Sequence, residues 1–147
     1  KDSTPTHVGD NNIGFYAIPS EISQWPVHLR LVSPQAAFFK NKELVLVSTC
    51  SPVASADIHW RYMRGRAVAV ACPKLDDTSS YVSKLSEIFM EPTIPKVIIL
   101  RMIVPCCSGL TSIVQYALEE SNRKDIIVEE HILDLDGKLV EIKKINI

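Results

Sequence analysis

The chain has 147 residues, of which 46% are hydrophobic and 22% charged, and a net charge of −1. That is one ordinary domain's worth of chain, able to bury a core without disulfide staples, and it lacks the basic excess that binding nucleic-acid phosphates requires. Arg101 interrupts and Pro105 ends the longest apolar run, VIILRMIV, far short of a membrane span. The chain opens on Lys1 rather than Met, which reads as a trimmed or processed end.

Residues 1–20, KDSTPTHVGDNNIGFYAIPS, mix turn formers with scattered apolar residues at neither helical nor strand period, and are expected to form an irregular arm. VHLRLV (27–32) alternates like a short strand, with Trp25 and Pro26 ahead of it as core packing and chain lead-in. SPQAAFFKN predicts a short helix with Ser33 as N-cap and Pro34 in its first turn. ELVLVST (43–49), RAVAVA (66–71) and KVIILRMIV (96–104) are apolar on both faces, as buried parallel strands are. Between the first two, ASADIHWRYMRG predicts a short helix closed by Gly65. DDTSSYVSKLSEIFM sets Val82, Leu85, Ile88 and Phe89 on one helical face, with Asp77 or Thr78 as cap. GLTSIVQYALEESNR does the same with Leu110, Ile113, Val114, Ala117 and Leu118. DIIVEEHIL and KLVEIKKI flank Asp136-Gly137, a strong hairpin signal, so the last pair should be antiparallel at a sheet edge.

Strands alternating with helices predict an α/β fold over residues 21–147: a mostly parallel, three-layer sheet of the Rossmann-like or flavodoxin-like kind with a C-terminal antiparallel hairpin.

The cysteines fall on this scaffold at one kind of place. Cys50 follows the first buried strand, Cys72 the second, and Cys106 with Cys107 the third. Ligands of open α/β sheets bind outside the carboxyl ends of the strands, so all four thiols are expected on one rim. Four thiolates suit a [4Fe-4S] or [2Fe-2S] cluster or a tetrahedral zinc, with the tetranuclear cluster favoured and zinc the alternative. Cysteine is also a common packing residue, and thiol redox chemistry or a vicinal disulfide between Cys106 and Cys107 are further readings. For both of these neighbours to serve one metal, the backbone must turn at Pro105 to Gly109. Four cysteines in a chain of this size suit free thiols in a reducing compartment, hence a cytoplasmic protein.

Other residues carry weaker signals. His59, Asp76 and Ser108 are candidates to support the thiols from behind, and Asp77 reads as a cap. Arg61, Arg64 and Arg66 with Trp60 suggest a docking face for an acidic ferredoxin or another subunit, or else a solvated helix end. PCCSG loosely resembles a nucleophile elbow, with Cys107 as nucleophile, His131 as base and Asp134 or Asp76 orienting it. The five glycines form no phosphate-binding loop.

At QWPVHLRLVSP, ACPKLDD and VPCCSGL the sequence resembles a family of iron-sulfur proteins of anaerobic bacteria and archaea, described as 4Fe-4S-binding or ferredoxin-domain proteins. The resemblance runs from about Ser20 to Gly137 and places the family's C-terminal-domain motifs on Gln24 to Pro26, Cys50, Cys72 to Asp77 and Pro105 to Leu110. It departs from the family at Ser108, which stands where the motif has glycine, and in lacking the N-terminal ferredoxin module. It implies an iron-sulfur redox setting but no reaction, and without that module the clusters usual in the family are not carried over to this chain. It also implies a partner such as a ferredoxin or ferredoxin-domain subunit, and leaves room for a homo-oligomer.

Overall fold

A computed structural model describes residues 6–8 and 15–147. The stretch expected to be an irregular arm contains two short strands, β1 (Thr6–Val8) and β2 (Phe15–Ala17), paired antiparallel as a separate small sheet. The remainder of that arm lies outside the described residues.

The body is a five-stranded sheet. The three apolar runs form β3 (Leu44–Ser48), β4 (Ala67–Ala71) and β5 (Lys96–Met102), followed by β6 (Ile127–Leu133) and β7 (Leu139–Lys144). Their spatial order is β4-β3-β5-β6-β7; all neighbours are parallel except β6 and β7. Alternating residues of the buried strands feed two cores. One face carries Leu44, Leu46, Val97 and Ile99 beneath helices α2 (Tyr81–Phe89) and α3 (Gly109–Ser121). The opposite face carries Val45, Val47, Ile98 and Leu100 beneath α1 (Ser51–Ala54) and a single π-helical turn, His59–Met63. The expected three-layer α/β fold with an antiparallel C-terminal pair is therefore what forms.

The hairpin behaves as its Asp-Gly signal predicts. Gly137 has φ +82°, and the Asp134 carboxylate accepts the N–H groups of Asp136 and Lys138. A Cβ on Gly137 would stand 2.1 Å from the Ala54 carbonyl oxygen, so the hairpin tip presses against the end of α1 as only glycine allows.

Three local expectations are corrected. VHLRLV is not a strand: His28 makes one parallel bridge to Val70, after which the His28 carbonyl accepts the N–H groups of Leu31 and Val32 in a turn. The turn wins because Leu29 and Val32, three residues apart, both reach the core. The Ser33-Pro34 segment yields only a 3₁₀ turn at Ala37–Phe39, capped by no side chain. Trp25 is no core residue, being 77% exposed; its neighbour Gln24 does the structural work, its side-chain amide donating to the Val68 carbonyl and accepting the Val68 N–H, both at 2.7 Å. A glutamine side chain thus occupies the ladder groups of β4's outer edge, and the bonds of Val27 and Leu29 to Val70 continue that cover.

Candidate functional site

Counted from β3, the parallel strands run in the order 2-1-3-4, so the chain reverses direction across the sheet between β3 and β5. Connections leave these two neighbours for opposite faces, which opens a crevice beyond their carboxyl ends. Cys50 is the residue preceding α1 at the end of β3, and Cys106 and Cys107 lie in a 3₁₀ turn, Pro105–Cys107, beyond β5. Both sides of the crevice therefore carry thiols. Cys72 stands one strand further out, after β4.

The turn expected at the cysteine pair is present. Pro105 opens it, and the Ser108 hydroxyl donates to the Pro105 carbonyl at 2.7 Å, closing it. Ser108 thus supports the turn rather than a sulfur. Cys106 faces solvent while Cys107 is 4% exposed, and the two Sγ atoms are 3.9 Å apart. The hydrogen bond shared with Cys107, in which Cys106 keeps its proton, together with desolvation and the charges of Cys107 and Cys50, pushes the Cys106 thiol above its ordinary pKa. Cys50 is close enough to contribute to that shift. Beneath it the Ser48 and Ser51 hydroxyls, fully buried, are joined at 2.5 Å.

The loop Cys72–Asp77 is organised by Asp76. Its carboxylate accepts the Cys72 N–H at 2.9 Å and the Tyr81 hydroxyl at 2.6 Å, and lies 3.3 Å from His28 Nε2. Burial pushes the Asp76 carboxyl up, but these donors and the charges of His28 and Arg30 outweigh it and hold it below the usual range. Burial, with the same bond behind it, pushes the Tyr81 phenol far up. Asp76 therefore fixes the backbone that carries Cys72, and the Cys72 sulfur accepts the Leu75 N–H at 3.4 Å. Asp77 does not cap α2: it accepts the Ser79 N–H one turn earlier. Pro73 packs on Gly109, where a Cβ would come within 3.3 Å, so the Cys72 loop and the start of α3 are in contact.

Among the described residues, no three His, Cys, Asp or Glu side chains converge closely enough to hold a metal ion. The four thiols share a rim without forming a closed ligand set. Their chemistry fits a metal or cluster; their arrangement brings only Cys106 and Cys107 into contact distance.

The remaining candidates sort themselves by partners. His59 Nδ1 accepts the Glu21 N–H at 3.2 Å, tying the π-helical turn to the segment before Gln24. Arg61 pairs with Asp57, Arg66 with Glu43, and Arg64 with Glu21 while stacking 4.3 Å over Trp60. The arginines expected to form a docking face are thus engaged within the chain. His131, the expected base for Cys107, has Nδ1 2.8 Å from the Tyr62 hydroxyl and Nε2 2.8 Å from Glu129, so both ring nitrogens are committed elsewhere. Burial pushes the Tyr62 phenol up to about 12. A second buried cluster joins Arg101, Glu130 and Thr111 under the start of α3. Both networks were missed as units; their signal is charge inside apolar strands, Arg101 in β5 and Glu129-Glu130-His131 in β6.

Residues 36–147 match the Rossmann-like domain family. The chain is also similar to an uncharacterized protein of Archaeoglobus fulgidus, with 32% identity over 124 residues, which cover 84% of this chain and 86% of that protein. No solved structure matches it.

Proposed function

We propose that this chain, which belongs to the Rossmann-like domain family, binds a thiolate-held metal centre in the crevice between β3 and β5, using Cys50, Cys106 and Cys107 with Cys72 completing the set. The observation that carries the reading is placement: every thiol follows one of three adjacent parallel strands, and both walls of the crevice bear them. The favoured centre is a [4Fe-4S] cluster, serving electron transfer in the cytoplasm with a ferredoxin or ferredoxin-domain subunit. The motifs at Gln24 to Pro26, Cys72 to Asp77 and Pro105 to Leu110, resembling those of iron-sulfur proteins, support that choice.

Zinc is a second reading, favoured by the 3.9 Å between the paired sulfurs. Two thiolates on one tetrahedral ion, with bonds of about 2.3 Å, stand about 3.8 Å apart. Ligands of separate irons in a cubane are spaced more widely, about 6 Å, so a cluster requires the pair to spread.

Anaerobic purification followed by iron, zinc and acid-labile sulfide analysis decides between them. Iron with equimolar sulfide supports the cluster, and zinc without sulfide supports the single ion. Protein that is colourless, metal-free after anaerobic reconstitution and carries four titratable thiols would sink both and leave the cysteines as packing residues. Binding at either centre releases thiol protons, so apparent affinity should rise with pH through the elevated Cys106 value.

A further inference from the structure

We infer that this chain forms a two-fold dimer by antiparallel pairing of β7 with β7 of a second copy, centred on Ile142, joining two sheets into one of ten strands. The inference rests on a contrast between the two edges of the sheet. The β4 edge is covered: Gln24 occupies the ladder groups of Val68, and Val27 and Leu29 those of Val70. The β7 edge is bare among the described residues: β7 pairs with β6 alone, and Val140 through Lys144 are all exposed. An unprotected edge presents free backbone donors and acceptors to any complementary strand.

The backbone phase is right for a symmetric partner. The Ile145 N–H donates to the Val128 carbonyl at 2.9 Å, in register with Glu129 opposite Lys144 and Glu130 opposite Lys143. Antiparallel ladders alternate, so Lys143 and Glu141 address β6, whereas the N–H and C=O groups of Ile142 and Lys144 point outward. A two-fold axis through Ile142 makes it a hydrogen-bonded pair with itself.

The side chains then agree with that register. Glu141 falls opposite Lys143 of the second copy, twice, at non-hydrogen-bonded positions where cross-strand side chains approach most closely. Ile142 meets its own counterpart. Within one chain Ile142 is 54% exposed, beside His131 on the same face of the sheet. The pairing is isologous, so each favourable contact occurs twice and the assembly closes at two.

Sedimentation velocity on the full chain should give twice the 16.4 kDa chain mass. Glu141→Lys and Lys143→Glu each set like charges opposite one another at two places and should weaken the dimer by about tenfold or more. The double exchange, Glu141→Lys with Lys143→Glu, should restore it. Ile142→Pro removes only an outward N–H, so it should leave the circular dichroism spectrum near wild type while abolishing the dimer. A chain that stays monomeric up to about 100 µM overturns the inference. So does a dimer that persists in Ile142→Pro, or one whose charge variants fail to show the loss and recovery.

Discussion

Cys106 condenses the chemistry of the rim into one side chain. It is exposed, yet its neighbours make ionisation costly: Cys107 bonds to it at 3.9 Å, and the charges of Cys107 and Cys50 repel a thiolate there. Two sulfurs in contact without a metal share protons poorly, whereas a cation removes the repulsion, so the same pair is sluggish as a nucleophile and well disposed as a ligand. In the metal-free protein the alkylation rate of Cys106, followed by peptide mass spectrometry against pH, should therefore inflect above the position for an ordinary cysteine. Replacing Cys107 by Ala removes the first and largest cause and should shift that inflection downward, raising the rate near neutral pH severalfold. Cys50→Ser should do so more weakly, since Cys50 acts only through its charge. An inflection unmoved by Cys107→Ala would show that the pair is not coupled.

Among the elements, those whose identity depended on burial were legible and those held by a single side chain were not. β3, β4 and β5 are five- to seven-residue runs buried almost throughout, and continuous apolar β-branched sequence has few other solutions. The Asp-Gly turn was equally readable because Gly137 meets both a positive φ and a close approach. VHLRLV misled because two-residue alternation ignores that Leu29 and Val32 bury together from a turn. The cysteine positions were readable as strand ends, but whether a turn aims two sulfurs together or apart depends on the 3₁₀ geometry at Pro105, which no periodicity encodes. Gln24 was hidden for a different reason: its amide imitates a peptide group across 44 residues of sequence. That role is testable at the element itself. Gln24→Ala leaves the Val68 N–H and C=O without their partner, at a cost of about 1–3 kcal/mol. Hydrogen exchange at the Val68 amide should accelerate, whereas the Val70 amide, bonded to the Val27 carbonyl, should keep its protection. Equal loss at both sites would mean that the whole edge depends on Gln24.

At the scale of the molecule, carboxylates tie the helices and loops to the sheet. Asp76 links the Cys72 loop, Tyr81 of α2 and His28 beside β4; Glu129 links β6 to Lys96 of β5 and, through His131, to Tyr62 of the π-helical turn. Burial raises the Asp76 carboxyl and is outweighed by its donors, and the His131 bond leads the causes that hold Glu129 low despite burial. Both folded-state values thus lie below those of the unfolded chain. The unfolded state takes up protons first as pH falls, so the stabilisation is complete above the ordinary carboxylate range and drains away as pH drops through the depressed folded values. Urea unfolding of the wild type should accordingly show little pH dependence between neutrality and the upper end of the carboxylate range, then a steep loss below it. Asp76→Asn and Glu129→Gln keep most of the shape while removing the titration. Each should lower stability near neutrality and flatten the acid limb, and the two sites, on separate faces and without shared partners, should add. Acid limbs that run parallel to wild type in both variants would place the linkage in other carboxylates, and would leave these two networks as packing rather than charge.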